Sequence, residues 1–291
     1  MNVPVKSEAK TGDVLLYSEQ GDLATITLNR PKAVNALSIE LSDRFVEAVE
    51  RVRRARHINI LVIRGSGGNF CAGDDLKEIP SWGNANDFFH RVRYYQNMAN
   101  QLEELDKVTV SAVDGIAVGG GLEITMACDF VVATERSTWG MPEIDTGITP
   151  GWGGTTRMAR LIGRRWTKEI NMIGALHPAR RAVRLGLWNK VVADGTLDKA
   201  VDELVAMLQT KNMQTLRQMK FIINKGVEAD LHTAQGFEVL SSALAAAVNG
   251  WWQVPDADSG VGLKNFASKG ELWQKRRSTA KHFWVENRGD E

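Results

Sequence analysis

The chain has few cysteines and few histidines, and it contains no long apolar run. Its 291 residues include two cysteines and five histidines. Two thiols do not make a disulfide framework, so the sequence predicts a reducing compartment and a cytoplasmic location. No apolar stretch approaches the roughly 18 residues of a membrane span, so none is predicted. The same shortages leave little material for a metal centre, and we expect none.

An excess of charge of one sign is also missing. Lys and Arg number 36 against 35 Asp and Glu, which gives a formal net charge of +1. A balanced chain offers no general field that attracts nucleic acid or an acidic membrane, so neither partner is expected. Hydrophobic residues make up 43% and charged residues 24%, a composition typical of a folded globular protein and too apolar for a disordered one.

Strand-like and helix-like segments alternate along the first two thirds of the chain. Strands are predicted at residues 14–17, 23–28, 58–64, 108–113, 130–134 and 190–192. Helices are predicted at residues 38–53, 87–105, 122–128, 155–162, 165–173, 179–185, 197–210, 213–230 and 233–247. This order predicts a parallel α/β arrangement followed by a helical region. We expect a mobile N-terminal arm (1–12), a core (13–200) and a C-terminal helical region (201–291).

Three glycine-bearing turns follow strand-like segments and precede helix-like ones. They lie at residues 69–76, 119–123 (at the end of a glycine-rich turn predicted at 115–121) and 142–154. A glycine-rich turn at a helix N-terminus leaves backbone N–H groups free and favours negative charge. Two such donors that converge on one carbonyl oxygen form an oxyanion hole. Each turn alone is compatible with a simple tight connection.

Two glutamates belong to these turns. Glu123 lies about one turn into the helix that follows the triple glycine, and Glu143 lies in the loop after Trp139. A carboxyl group in apolar surroundings has a raised pKa and acts as a general acid or base near neutral pH. The alternatives are a surface residue that complements the helix dipole for Glu123 and a solvated turn residue for Glu143.

Together these segments resemble the crotonase (enoyl-CoA hydratase/isomerase) superfamily. The matching stretches run collinearly at residues 29–37, 70–76, 112–123, 128–129, 139–143 and 147–155. The resemblance implies a spiral of ββα repeats with two nearly perpendicular sheets and a C-terminal helical trimerisation region. It also implies an acyl-CoA thioester as substrate, no cofactor beyond the CoA of that substrate, and a homotrimer or homohexamer.

The resemblance assigns roles to individual residues. The backbone N–H groups of Asp74 and Gly120 would form the oxyanion hole. Glu123 would mainly activate water and Glu143 would transfer the proton, because both fall on the glutamates of the hydratase branch. Contacts with CoA and substrate would come from Lys32, Ala33, Ala36, Ala72, Asp75 and Leu76. Asp74 is a departure, since the hydratase branch commonly has a small residue there; its carboxylate would repel an anionic acyl group or pair with a basic one.

The resemblance favours a 2-enoyl-CoA hydratase. Candidates for the acyl pocket are Trp82, Phe88, Trp139 and Trp152, and these aromatic residues suggest a bulky, cyclic or aromatic acyl group. The alternative that they only pack the core remains open. An isomerase or a hydratase/lyase of the same superfamily is the second hypothesis, and a catalytically idle acyl-CoA binder is the third. Neither the acyl group nor the choice between trimer and hexamer follows from the sequence.

Overall fold

The structure, a computed structural model, describes residues 13–248, 274, 277–280 and 283–284. The expected N-terminal arm (1–12) lies outside the described residues, as does most of the chain after residue 248. The chain divides into two compact units, Met1–Val201 and Asp202–Glu291.

Within the described residues, the strands of the first unit build two sheets. The strands are β1 Leu15–Gln20, β2 Leu23–Leu28, β3 Ile60–Gly65, β4 Val108–Val113, β5 Ile116–Val118, β6 Phe130–Thr134, β7 Thr138–Gly140, β8 His177–Pro178 and β9 Lys190–Val192. The larger sheet has the order β1-β2-β3-β4-β6-β9. In this larger sheet only β1 and β2 pair antiparallel, and they form the predicted hairpin. The other neighbouring strands of the larger sheet are parallel. The predicted α/β class is confirmed.

The register of the large sheet explains its apolar strands. Val62 pairs with Val110, and Ala112 pairs with Val132, so neighbouring strands carry apolar residues at the same level. All six residues of β4 are buried. A parallel strand covered on both faces carries a continuous apolar run, whereas a half-exposed strand alternates.

The smaller sheet was missed by the sequence analysis. Residues 115–121 were expected to be only a turn, but they contain strand β5, which pairs with β7 and through it with β8. These strands have two or three residues, too few to show an alternating pattern. They form only because segments distant in sequence meet, and they carry the loops of the candidate site.

The helices agree closely with the expected positions. They are α1 Ile39–Arg54, α2 Ala85–Glu103, α3 Gly120–Met126, α4 Gly154–Ile173, α5 Ala179–Leu185, α6 Leu197–Gln209, α7 Met213–Gly226 and α8 Leu231–Val248. Ser38 is the N-cap of α1, and its Oγ accepts a hydrogen bond from the Leu41 N–H at 3.1 Å. The two helices expected at 155–162 and 165–173 are the two parts of α4. Helix α4 is broken at Gly163, which has a positive φ of 80°. Gly163 therefore separates two helical segments, as the sequence predicts.

The core of the first unit lies between the large sheet and helices α1 and α2. Phe45 of α1 and Tyr95 of α2 are fully buried there. In the second unit, α7 and α8 pack on each other, with the rings of Phe221 and Phe237 5.9 Å apart.

Asn35 joins two loops that carry predicted site residues. Its buried side chain donates to the carbonyl oxygens of Ser66 and Asn69 at 2.9 and 2.7 Å. Its Oδ1 accepts from the Arg30 N–H at 2.8 Å. Asn35 adopts a positive φ of 54°, which asparagine tolerates better than most other residues. One side chain thus satisfies three backbone groups and fixes the distance between the two loops.

We therefore expect Asn35→Ala to lower the free energy of unfolding by about 3–5 kcal/mol. Three hydrogen bonds at about 1 kcal/mol each are lost, and alanine is strained at positive φ. Urea unfolding followed by far-ultraviolet circular dichroism measures the change.

Asn97→Ala is the matched control, since Asn97 lies exposed on α2. This control should stay within about 0.5 kcal/mol of the wild type. Equal midpoints for the two variants would contradict the structural role of Asn35.

Candidate active site

The loop after β3 pairs with the segment that precedes α1. The Leu37 N–H donates to the Gly73 carbonyl at 2.8 Å, and the Asp75 N–H donates to the Leu37 carbonyl at 3.1 Å. Leu37 thus bridges the residues on either side of Asp74. The N–H of Asp74 takes no part in this pairing, because alternate amides along an extended chain point in opposite directions. It remains available on the other side of the loop.

The triple-glycine loop approaches the Gly73–Asp74 segment closely. A Cβ atom on Gly73 would lie 2.9 Å from the Val118 carbonyl and 3.3 Å from the Gly120 nitrogen. Gly73 also has a positive φ of 87°, so both the close contacts and the backbone conformation disfavour a side chain at this position. Gly120 begins α3, and the N–H groups of a first helical turn have no partner within the helix. The structure therefore brings the amides of Asp74 and Gly120 onto adjacent backbone segments.

Glu123 is buried in the first turns of α3, with 1% of its surface exposed. Its Oε1 accepts hydrogen bonds from the N–H groups of Trp152 at 2.9 Å and Gly154 at 2.6 Å. Both donors belong to the third glycine-bearing loop, at the start of α4. The alternative of an exposed residue at the helix N-terminus is therefore wrong. The two amides fix the carboxyl group in one orientation, and Oε2 accepts no hydrogen bond from the described residues.

Glu143 lies in a short 3-10 helix, Pro142–Thr146, that follows β7. A Cβ atom on Gly119 would lie 2.9 Å from its Oε1, so the carboxyl group stands directly against the triple-glycine loop. Its Oε2 is buried and has no hydrogen-bond partner among the described residues. Glu143 is thus not a solvated turn residue. Its Oε1 adjoins Gly119, and its Oε2 is the oxygen without a partner.

Asp74 contributes a third carboxyl group. A Cβ atom on Gly120 would lie 3.5 Å from the Asp74 Oδ1 and 3.5 Å from Cε2 of the Trp152 indole. The Oδ1 atom is buried, and the side chain of Trp152 acts as a hydrogen-bond partner of the carboxyl group. The side chain expected to be a departure from the hydratase pattern therefore points into the site.

Burial raises the pKa of all three carboxyl groups, and neighbouring acid charges raise those of Glu123 and Asp74 further. Burial, followed by the charge of Glu143, raises the pKa of Glu123 to about 8, although the Gly154 and Trp152 amides oppose the rise. Burial and the charge of Glu143 raise the pKa of Asp74 to about 7, although a hydrogen bond with the Trp152 side chain opposes the rise. Burial raises the pKa of Glu143 above its ordinary value. Like charges in a low-dielectric site cannot all ionise together, so the cluster retains protons near neutral pH.

Three of the four predicted pocket aromatics come together. The rings of Trp82 and Phe88 are 5.3 Å apart. Tyr95, which the sequence analysis did not select, stacks on Trp152 at 4.4 Å and lies 5.8 Å from Trp82. Tyr95 is seven residues after Phe88 and so lies on the same face of α2, a spacing that could have identified it.

Trp139 lies apart from these aromatics. Its ring packs against His177 and Trp188 at 5.0 and 6.2 Å, and its Nε1 donates to the Pro178 carbonyl. The structure does not bring it together with Trp82 and Trp152. Trp139 lies in β7 and Glu143 in the short helix that follows it, so their closeness in sequence suggested proximity. The Trp139 ring instead packs on the side of β7 that faces His177 and Trp188.

The expected CoA-contacting residues cluster on the two paired loops. Ala36 lies beside Leu37, and the Ala72 N–H donates to the Val34 carbonyl at 3.1 Å. Asp75 is paired with Arg30 at 2.8 Å. The remaining members lie at the rim: Lys32 and Leu76 are exposed, and Ala33 is partly exposed. The structure thus brings all six onto one side of the site.

The structure shows no metal-binding cluster in the part of the chain that it describes. No group of three or more His, Cys, Asp or Glu side chains there has an arrangement that could hold a metal ion. Among the same residues, no helix has the length and apolar character needed to cross a membrane.

Comparison with known proteins establishes the family. The enoyl-CoA hydratase/isomerase family model matches residues 18–248. The protein YngF of Bacillus subtilis, named as an enoyl-CoA hydratase/isomerase, is 36% identical over 260 residues, covering 89% of this chain and 96% of that protein. The crotonyl-CoA hydratase of Syntrophomonas wolfei is 33% identical over 234 residues, covering 80% and 90%. The chain belongs to the enoyl-CoA hydratase/isomerase family and is an enzyme of the hydro-lyase type.

Solved structures of family members confirm the predicted crotonase fold. An enoyl-CoA hydratase from Bacillus anthracis superposes with a TM-score of 0.79 at 29% identity, covering 88% of this chain and 97% of that one. A Thermobifida fusca family member in complex with acetoacetyl-CoA superposes with a TM-score of 0.75 at 27% identity, covering 80% and 95%.

The raised pKa of Glu123 predicts how the free energy of unfolding depends on pH. The folded chain retains protons that the unfolded chain releases near the ordinary value of 4.5. Between about pH 4.5 and pH 8 the folded state binds more protons, so the free energy of unfolding falls as the pH rises. Glu123→Gln removes the titrating carboxyl group, and with it this fall in the free energy of unfolding. Its stability relative to the wild type should rise by about 1–3 kcal/mol between about pH 5 and pH 8 and then stay level.

Urea unfolding from about pH 5 to pH 9 measures this difference. Glu40→Gln, at an exposed glutamate of α1, is the control for replacing a carboxyl by an amide. A difference between Glu123→Gln and the wild type that does not depend on pH would contradict the raised pKa.

Proposed function

We propose that the chain adds water across the α,β double bond of a 2-enoyl-CoA thioester. The observation that carries the proposal is the pair of carboxyl groups of the buried Glu123 and the partly buried Glu143, beside the two adjacent amides of Asp74 and Gly120. Carboxyl groups with raised pKa values supply acid and base near neutral pH, and converging amides stabilise a developing oxyanion. The crotonyl-CoA hydratase among the relatives supports the same reaction.

In the proposed mechanism the Asp74 and Gly120 amides bind the thioester oxygen. As water attacks Cβ, the double-bond electrons move toward this oxygen, and the two N–H groups stabilise its charge. Glu123 takes the proton of the attacking water, and Glu143 delivers a proton to Cα. One O–H bond of water and the carbon–carbon π bond break, while C–O and C–H bonds form. The reaction is redox-neutral and needs no cofactor beyond the CoA of the substrate.

The geometry supports the division of roles between the two glutamates. Glu123 has one oxygen held by two backbone amides, so its other oxygen has a fixed direction for binding water. The Oε1 of Glu143 lies against the triple-glycine loop, and its buried Oε2 has no partner among the described residues. A base must be ionised and an acid protonated, and two coupled carboxyls that share one proton meet both needs.

The substrate proposal extends to CoA and the acyl group. The contacts with CoA and substrate would come from Lys32, Ala33, Ala36, Ala72, Asp75 and Leu76. The complex of the Thermobifida fusca relative with acetoacetyl-CoA supports this class of ligand. A bulky, cyclic or aromatic acyl group stays a prediction. In the structure the aromatic rings stack on one another, with Tyr95 and Trp152 almost completely buried.

The proposed assembly is a homotrimer or homohexamer. Helices α7 and α8 expose many large apolar side chains in the single chain, far more than an isolated surface helix pair needs. They are Met219, Phe221, Ile223, Val227, Leu231, Val239, Leu240, Leu244 and Val248. Burial of this surface against other copies of the chain would remove it from water.

Replacement of the two glutamates tests the mechanism. Glu123→Gln and Glu143→Gln should each lower kcat for crotonyl-CoA hydration by about 100- to 10,000-fold, since general acid–base catalysis supplies rate factors of that size. The loss of enoyl-thioester absorbance measures turnover. Affinity for the saturated butyryl-CoA should change by no more than about threefold.

Asp145→Asn is the control, because this exposed acid is close to Glu143 in sequence. It should retain wild-type turnover. Near-normal hydration by either glutamine variant would refute the assigned roles. Product analysis separates hydration from isomerisation and from retro-aldol cleavage of the same substrates.

A second test concerns the assembly. Native mass spectrometry should find three or six copies of the 32.2 kDa chain. Leu240→Asp should shift the population toward monomers, because an unpaired charge in an apolar interface is costly. Ser242→Asp is the control, since it adds the same charge on the opposite face of α8. A monomeric wild type would refute the proposed assembly.

A further inference from the structure

Trp152 contacts both halves of the proposed catalytic machinery. Its backbone N–H donates to Glu123 Oε1 at 2.9 Å. Its indole lies beside the oxyanion-hole segment, because a Cβ atom on Gly120 would lie 3.5 Å from both the indole Cε2 and the Asp74 Oδ1. The Trp152 side chain is a hydrogen-bond partner of the Asp74 carboxyl group, and an indole N–H can only donate. One residue thus connects the carboxyl group of Asp74 to that of Glu123.

The contact between Asp74 and Trp152 is shielded from water. Trp152 is buried, and so are the Asp74 Oδ1 and Trp152 Nε1 atoms. A hydrogen bond in such a low-dielectric site is electrostatically stronger than the same bond in water. The indole also stacks on Tyr95 of α2, with the ring centroids 4.4 Å apart and 20° between the planes. Stacking restricts the plane of the ring, and the hydrogen bond restricts the direction of its N–H within that plane.

The loop that carries Trp152 has a flexible backbone. In residues 150–154 every residue other than Pro150 and Trp152 is glycine, and Gly153 has a positive φ of 101°. Glycine gives the backbone wide conformational freedom. The Trp152 carbonyl accepts a hydrogen bond from Arg157 at 2.7 Å, but this bond joins the loop to its own helix α4. The indole contact joins it to the oxyanion-hole segment.

We propose that the Asp74 side chain is a positioning group for the base Glu123. By accepting the indole N–H it holds Trp152, and Trp152 in turn keeps its backbone N–H on Glu123 Oε1. This inference rests on the proposed function, in which the Asp74 amide binds the thioester oxygen. Asp74 then sets the distance between the oxyanion hole and the base. Because the reacting atoms must be aligned with both, a displacement of about 1 Å costs about 100-fold in rate.

Two properties of the Asp74 carboxyl group have separate effects. Its oxygen accepts the Trp152 N–H, and asparagine retains such an oxygen. Its negative charge acts on the base: burial and the charge of Glu143 raise the pKa of Glu123, and the charge of Asp74 adds to the rise. Asparagine removes that charge. Positioning therefore predicts that Asp74→Asn and Asp74→Ala differ in kcat but share one change in pH dependence.

Hydration of crotonyl-CoA by four variants tests the positioning role. Asp74→Ala and Trp152→Phe both remove the hydrogen bond, so each should lower kcat by about 10- to 100-fold. In Asp74→Ala the loss should appear in kcat rather than in KM, because the backbone amide remains. Asp74→Asn keeps an acceptor and should lose about 10-fold less than Asp74→Ala. Combining Asp74→Ala with Trp152→Phe should add no further loss, since both substitutions remove the same bond.

The pH profile of kcat/KM gives a readout that a merely structural role would not change. Glu123 must be ionised to act as a base, so the acidic limb of the profile follows its pKa. Without the Asp74 charge this pKa falls, so the limb should move to lower pH in Asp74→Asn and Asp74→Ala alike. Trp152→Phe retains the charge and should show no such movement. The kcat values are compared at the pH optimum of each variant.

Asp145→Ala and Trp166→Phe are the matched controls, at an exposed acid and a half-exposed tryptophan. Both should keep the wild-type kcat. If Asp74→Ala does not fold, the comparison of Asp74→Asn with Trp152→Phe replaces it. Equal losses in Asp74→Asn and in the variants without the hydrogen bond, or additive losses in the double variant, would overturn the inference while hydration stands. A wild type without hydration activity would refute the proposed function, and the inference with it.

Discussion

The site depends on one interaction, the pair of hydrogen bonds from the Trp152 and Gly154 amides to Glu123 Oε1. A carboxyl group buried to this degree is costly unless it is hydrogen-bonded. These bonds also connect α3 to the loop that begins α4, so they set the position of the loop as much as that of the carboxyl group. Because one oxygen is held, the direction of the other is fixed, and the proposed water-binding position follows from backbone geometry.

Glycine makes these short distances possible. A Cβ atom on Gly154 would lie 2.6 Å from Glu123 Oε1, and one on Gly119 would lie 2.9 Å from Glu143 Oε1. Gly73 allows the loop with Asp74 to reach the Gly120 nitrogen. The groups that would bind the thioester oxygen and orient the base are thus main-chain amides. A main-chain donor keeps its place when side chains change, which is why one fold serves related reactions through changes in the residues around it.

The sequence predicts the parts of the fold that repeat locally. The amphipathic pattern and Ser38 place α1 to within a residue, and Gly163 marks the break in α4. Strand β5 was missed because three residues carry no periodic signal and pair only with a segment distant in sequence. At the site, the glutamates and loops follow from the resemblance, whereas the burial of Glu123 does not. The stacking of Tyr95 on Trp152, and the separation of Trp139 from both, depend on how helix and strand faces meet in space.

Asp74 affects the site through its backbone and through its side chain. Its backbone lies in the loop that would bind the thioester oxygen, while its side chain adds a third acid beside Glu123 and Glu143. A third acid is not needed for adding water, and its charge raises the pKa of Glu123 further. A group that makes the chemical site harder to ionise is a cost to the unliganded protein, and the hydrogen bond between Asp74 and the Trp152 side chain offsets part of that cost.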